Sequence, residues 1–150
     1  MTFDNNGHLI PYQIIETDMA TFEHFFVTNF IKSTSRKDLF KQFSSYVEDL
    51  KHIVGGSFYL WIDGSFVSQK LNPKDIDILI FVESVILKEQ ETALNLVKKR
   101  FQPEIDSYFI EVLAENHPKY FLFEINQKEW LFTFSTSRSF QNKGIIQINF

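Results

Sequence analysis

Apolar residues along the chain follow two rhythms, and each predicts its own elements. Leu39, Phe40, Phe43, Tyr46, Val47, Leu50, Ile53 and Val54 recur at steps of three and four, the period of a helix with one buried stripe. Ser33, Thr34 and Ser35 offer N-caps for it, and Gly55-Gly56 supplies the stop. Residues 57–63 are rich in aromatic and branched side chains and predict a strand, which Gly64-Ser65 breaks. Asn72-Pro73 marks a turn, and residues 76–82, apolar on nearly both faces, predict a strand central in a sheet. Residues 83–100 set Leu87, Ala93, Leu94 and Val97 on one side, continuing to Phe101, and predict one helix that Pro103 ends. A third strand is expected over 105–113. His117-Pro118 then opens a helix carrying Tyr120, Phe123, Trp130, Leu131 and Phe134, with a break expected near Asn126. The apolar run 144–150 predicts a closing strand that needs a partner in the sheet. Ahead of these, residues 1–16 read as an N-terminal arm, polar at first and apolar at Leu9, Ile10 and Ile14. A short helix follows, capped by Thr17 or Asp18, with Phe22, Phe25 and Phe26 inward. The order predicts an α+β (mixed α/β) domain, a mixed sheet of about four to five strands packed with helices.

Composition narrows the function more than the fold. At 150 residues and 44% hydrophobic, the chain has apolar surface for one core, which places 1–150 in a single domain and excludes wholesale disorder. Fifteen basic against nineteen acidic residues, a formal charge of −4, argue against a general nucleic-acid coat. With no Cys, disulfides, thiolate zinc sites and cysteine nucleophiles are excluded together. No apolar run has bilayer-spanning length, and no basic head precedes an apolar block, so the expectation is a cytoplasmic protein with no membrane partner.

The specific chemistry lies between Asp63 and Asp106. Asp75 and Asp77 sit two apart at the opening of the apolar strand, so both face one side of the sheet. Two carboxylates so placed repel each other, and a divalent cation between them removes the repulsion; Mg²⁺ is the natural occupant of an all-oxygen site. Asp106 lies on a strand that can pair beside theirs, and a third carboxylate there completes a two-metal site for phosphoryl displacement. Gly64 lets backbone approach a phosphate, and Ser65 with the amides after it is expected to form a helix N-terminus aimed at the anion.

Gly64-Ser65, nine intervening residues and Asp75-Ile76-Asp77 with apolar flanks resemble the signature of the DNA polymerase β-type nucleotidyltransferase superfamily. More narrowly, residues 60–77 are similar to a small bacterial branch of that fold. Ile105-Asp106-Ser107-Tyr108-Phe109, His117-Pro118, Glu129-Trp130-Leu131 and Lys143-Gly144-Ile145 extend the likeness from Leu39 to residue 150. The resemblance implies a Mg²⁺-dependent (or Mn²⁺-dependent) enzyme that transfers a nucleoside monophosphate from an NTP, ATP foremost, with pyrophosphate leaving. By the same resemblance Ser65 contacts phosphates, Asp75 and Asp77 hold metals, and Asp106 stands near the attacking hydroxyl as the third metal-binding carboxylate. Larger members append a helical domain that this chain has no room for. It resembles instead the minimal nucleotidyltransferases of toxin–antitoxin and defence systems, some of which modify a protein or RNA. The acceptor implied is a protein or RNA hydroxyl, including a neighbouring-gene product, and a homo-oligomer is compatible with the pattern.

Each residue also has a plainer reading. Gly56-Ser57 is a second Gly-Ser pair but precedes the strand, and Gly55-Gly56 reads as a helix stop only. Glu104 and Glu111 compete with Asp106 for the place of third carboxylate. Asp63 reads as a turn or capping residue, with a supporting acid as the alternative. Lys70 and Lys74 flank the turn before Asp75, where they meet triphosphate oxygens or merely solvate a turn. Arg138 and Lys143 sit in a polar loop before the last strand and lean towards the phosphates in the same scheme. His8, His24, His52 and His117 share no metal-ligand spacing. The Phe residues are core, with Phe66 and Tyr108 as candidates to stack on a base. The alternative function is a nucleotidyltransferase-fold module of low or no activity, an antitoxin-like binding partner, suggested by the missing accessory domain and the aromatic-rich ends.

Overall fold

The computed structural model describes residues 1–150. The longest apolar stripe forms helix α2 (Arg36–Val54), as its period demands. Ser33 Oγ accepts from the Ser35 and Arg36 amides at its start, and Gly55, with φ 63°, closes it in the left-handed conformation. Ahead of it lie strands β1 (Thr2–Phe3), β2 (Leu9–Ile10) and β3 (Ile14–Thr17), then α1 (Met19–Glu23), which runs on into a π-type turn, His24–Thr28. Asp18 is the N-cap of α1, its carboxylate accepting from the Thr21 amide at 2.7 Å.

After α2 come β4 (Tyr59–Asp63), β5 (Ile76–Glu83), α3 (Ser84–Glu89), α4 (Glu91–Phe101), β6 (Ile105–Val112), α5 (Tyr120–Ser135) and β7 (Ile145–Asn149). Five strands make one mixed sheet in the order β3-β7-β4-β5-β6. The β3–β7 and β5–β6 pairs are parallel, and β4 is antiparallel to both neighbours. The architecture is α+β. Strand β5 is central and buried on both faces, which explains its unbroken Ile-Leu-Ile-Phe-Val run. Its even-numbered side chains join α1, α2 and α4 in the larger core, with Phe22, Phe43, Tyr46 and Leu50 fully buried. Leu79 and Phe81 face the other way, into a smaller core with Trp61, Ile110 and Ile145 beneath Phe123 and Phe134 of α5. No helix is long and apolar enough to cross a membrane.

Four details differ from expectation. The helix expected over 83–100 is two: Glu83 completes β5, and Gln90, at φ −104° and ψ 11°, breaks the ladder between α3 and α4. Helix α5 runs unbroken past Asn126, because no Gly or Pro interrupts it and Phe123 and Phe134 are buried on either side of that point. Part of that apolar surface stays outside: Phe121, Leu122, Ile125 and Phe132 are exposed. Residues 1–16 are not merely an arm. They supply the β1–β2 hairpin and the sheet-edge strand β3, whose four-residue run is too short to announce itself against β7. The run 144–150 does close the sheet, but from inside, between β3 and β4.

Candidate active site

Register across the sheet decides what meets at its end. Asp63 on β4 pairs with Asp77 on β5, and Asp77 pairs with Asp106 on β6. Residues paired across a sheet share a face, so the three carboxylates form one row on the side that α5 covers further along. Asp75, two residues before Asp77, faces the same side. Neither rival for Asp106 is in this row. Glu111 stands five residues further along β6, where it accepts from Ser84 and pairs with Lys88 at 3.2 Å. Glu104 lines a separate groove with Thr34 and Asn72.

The row is electrostatically loaded. Burial first, then the charges of Asp75, Asp63 and Asp106, push the Asp77 carboxyl up to about 6, and Lys143 partly offsets this. Asp63 is nine-tenths buried, and burial raises its proton affinity despite an ion pair with Lys143 Nζ at 2.5 Å. Its other oxygen, Oδ1, is buried without a hydrogen-bond partner. The acid assigned above to a turn or cap is therefore a buried member of the site. The sequence offered this role only as the alternative, because only the pairing register shows that Asp63 stands beside Asp77.

Gly64 is required at the bend. Its φ is 79°, and a Cβ there would fall into the Asp77 carboxylate. The expected helix N-terminus after Ser65 does not form; residues 64–75 are turns and bends. Arg36 explains why. Its guanidinium, fully buried, donates to the carbonyls of Phe66 (2.6 Å), Ser68 (2.9 Å) and Lys70 (2.7 Å), and to Phe26 (2.8 Å). Burial lowers its pKa to about 10, still well above neutrality. With these carbonyls turned to converge on one cation rather than aligned along a helix axis, the loop wraps Arg36 instead of coiling. The amides of Ser65, Phe66 and Val67 have no backbone carbonyl partner. A run of such amides is an anion-binding feature in its own right, without a helix behind it. The far end of the loop is tied to the start of α2 by Asn72 Oδ1, which accepts from the Thr34 amide at 2.8 Å.

Between loop and carboxylates lies a cavity of about 400 Å³ lined by Gly64, Ser65, Lys70, Lys74, Asp75, Asp77, Ser137, Arg138 and Lys143, with His8 on its wall. That size suits a small ligand with several charged groups. Gly64, Ser65, Lys70, Asp75 and Asp77 are thus brought together. Asp106 is not on the cavity wall; it stands beside Asp77 on the far strand and acts on it by charge. No three acid or imidazole groups converge closely enough to share one cation, so the gathering expected of Asp75, Asp77 and Asp106 is a row rather than a cage. The donor chemistry still suits a hard divalent cation, being all carboxylate oxygen, with Oδ1 of Asp63 unpartnered nearby.

A family model described as a family of unknown function, DUF6932, matches residues 1–149. The chain belongs to the DUF6932 family. No curated protein and no solved structure matches it. The match takes in the N-terminal hairpin, which the structure makes part of the site: Gly7 O accepts from the Gln69 amide at 2.9 Å, and Leu9 O from the Gly144 amide at 2.7 Å. His8 reaches the cavity this way, with no motif spacing to reveal it. Phe66 is fully buried against Arg36 and cannot stack on a base. Tyr108 is exposed, with Lys98 over its ring and Trp130 beside it.

Proposed function

We propose that this chain is a nucleotidyltransferase of the DNA polymerase β type, moving a nucleoside monophosphate from an NTP, ATP foremost, to a protein or RNA hydroxyl. The observation that carries the reading is the row Asp63–Asp77–Asp106 ending beside a loop whose Ser65 and Val67, both on the cavity wall, have amides without a backbone partner. Asp75 and Asp77, both on the cavity wall, would hold Mg²⁺ or Mn²⁺, which when bound neutralises phosphate charge, with Asp106 adding its charge from the neighbouring strand. The loop amides and Ser65 orient the phosphates, while Lys70, Lys74 and Arg138 offset their charge along the cavity. Asp106 lies outside the cavity wall, so the acceptor approaches from the β6 side and gives its hydroxyl proton to Asp106 as the acceptor oxygen bonds the α-phosphorus and the bond to pyrophosphate breaks. Arg36 fixes the loop without touching the substrate.

A labelled-NTP transfer assay with cell extract as acceptor tests this. Wild type should label an acceptor and Asp75→Ala/Asp77→Ala should not; equal labelling refutes the assignment.

A second reading is a binding module that keeps the fold without turnover. Exposed Phe121, Leu122, Ile125 and Phe132 on α5 favour it, since such a face suits a partner surface. Partner binding unchanged in the double variant, with no metal-dependent NTP binding in wild type, would select it.

A further inference from the structure

Four Lys or Arg side chains line the cavity, and three of them, Lys70, Lys74 and Arg138, are exposed. Lys143 is different: its side chain is 16% exposed, and its ammonium lies 2.5 Å from Asp63 Oδ2. We propose that Lys143 is the site's built-in phosphate-binding cation, held by Asp63 beside Asp77 so that it meets the phosphate oxygens of a nucleoside triphosphate lying over Ser65. The proposal rests on the nucleotidyltransferase reading and names a binding residue, with Asp63 as its positioning residue.

The backbone that delivers Lys143 is fixed on both sides. The Lys143 amide donates to Ser135 O at 2.9 Å and the Gly144 amide to Leu9 O at 2.7 Å. A Cβ on Gly144 would run into the Pro11 carbonyl, so the chain is packed tightly there. Two residues on, Ile145 is buried in the smaller core and continues into the β4–β7 ladder. The ammonium is therefore presented from a rigid strand end rather than from a mobile loop.

Its partner is not arranged for stability alone. Asp63 leaves Oδ1 buried without a donor, which costs folding free energy that a fully satisfied or apolar residue would not. Beside the pair stands Asp77, on which Asp75 and Asp106 also act, a concentration of negative charge that repels a phosphate. A cation anchored among them solves that problem at the one point where the exposed basic residues of the rim do not lie. Lys143 serves both neighbours: it offsets the carboxylates and leaves its remaining N–H donors for an anion.

The test separates a phosphate contact from a structural brace because the two predict different signs. Free-Mn²⁺ titration by electron paramagnetic resonance, without nucleotide, and ATP titration by calorimetry with Mg²⁺ are run on wild type, Lys143→Gln and Lys143→Arg. Removing the charge should weaken ATP by roughly tenfold or more. Mn²⁺ should bind at least as tightly as in wild type, because a competing positive charge beside the carboxylates is gone. Lys143→Arg, which keeps charge and donors, should retain most of the ATP affinity and shows that the site tolerates substitution. ATP affinity within about twofold of wild type in Lys143→Gln overturns the proposal. So does parallel loss of Mn²⁺ and ATP in both variants. Asp75→Ala/Asp77→Ala is run alongside. If it leaves Mn²⁺ and ATP binding intact, the nucleotidyltransferase reading falls and this proposal with it. If it abolishes both while Lys143→Gln behaves as wild type, only the Lys143 assignment falls.

Discussion

Asp77→Asn should make the protein more stable at neutral pH while abolishing its proposed activity. The Asp77 carboxyl titrates at about 6 in the folded chain against a usual value of 3.8. Its folded-state pKa is raised, so between these values the folded protein binds more protons than the unfolded one, and stability falls as pH rises through the window. The full gap corresponds to about 3 kcal/mol at neutral pH. Asp77 is only partly buried, so solvent screening reduces this to about 1.5 kcal/mol. Asparagine keeps the shape and removes the charge, and for a chain of this length the gain should appear as a rise of about 3–6 °C in Tm at pH 7. Thermal unfolding of both proteins from pH 7.5 down to 4 measures it. The advantage of the variant should shrink as pH falls through 6 and be nearly gone at 4. A variant less stable than wild type at pH 7, or a gain that persists unchanged at pH 4, would refute the argument that Asp77 is held against its charged neighbours.

Two further substitutions probe the loop. Arg36→Met leaves four carbonyls without their donor and should cost about 3–5 kcal/mol in urea unfolding, together with loss of metal-dependent ATP binding; a cost under about 1 kcal/mol would mean the loop holds its shape unaided. Gly64→Ala meets both a left-handed backbone and the Asp77 carboxylate, and should cost about 2–4 kcal/mol by the same assay and shift the pH at which Asp77 titrates, read by carboxyl NMR.

Long periodic segments were legible in the sequence because each carries its own signal: the α2 stripe, the two-sided apolar run of β5, the Gly55 stop. The row of acids was partly legible. Asp75 and Asp77 follow from alternation within one strand, but Asp63 depends on pairing between strands, which no local pattern encodes. The loop after Ser65 was misjudged for a related reason. Its conformation is dictated by Arg36, nearly thirty residues earlier, and propensity along residues 64–75 is silent about a guanidinium arriving from another element. Residues 1–16 were under-read because β3 is four residues long and gains its place only by lying beside β7. The break expected near Asn126 is absent because burial of Phe123 and Phe134 on one side holds α5 through it.

The position of β7 sets an order of assembly. Strand β3 is synthesised well before β7, yet its only partner in the sheet is residues 145–148. During synthesis β3 and the flank of β4 that faces it must wait with their hydrogen-bonding groups in water until β7 slides between them. Lys143 and the seat of the Leu9 carbonyl on Gly144 arrive with it. A nascent chain halted before residue 143 would carry the acids and the bend but lack a closed pocket, so the proposed site is complete only once translation has passed that point.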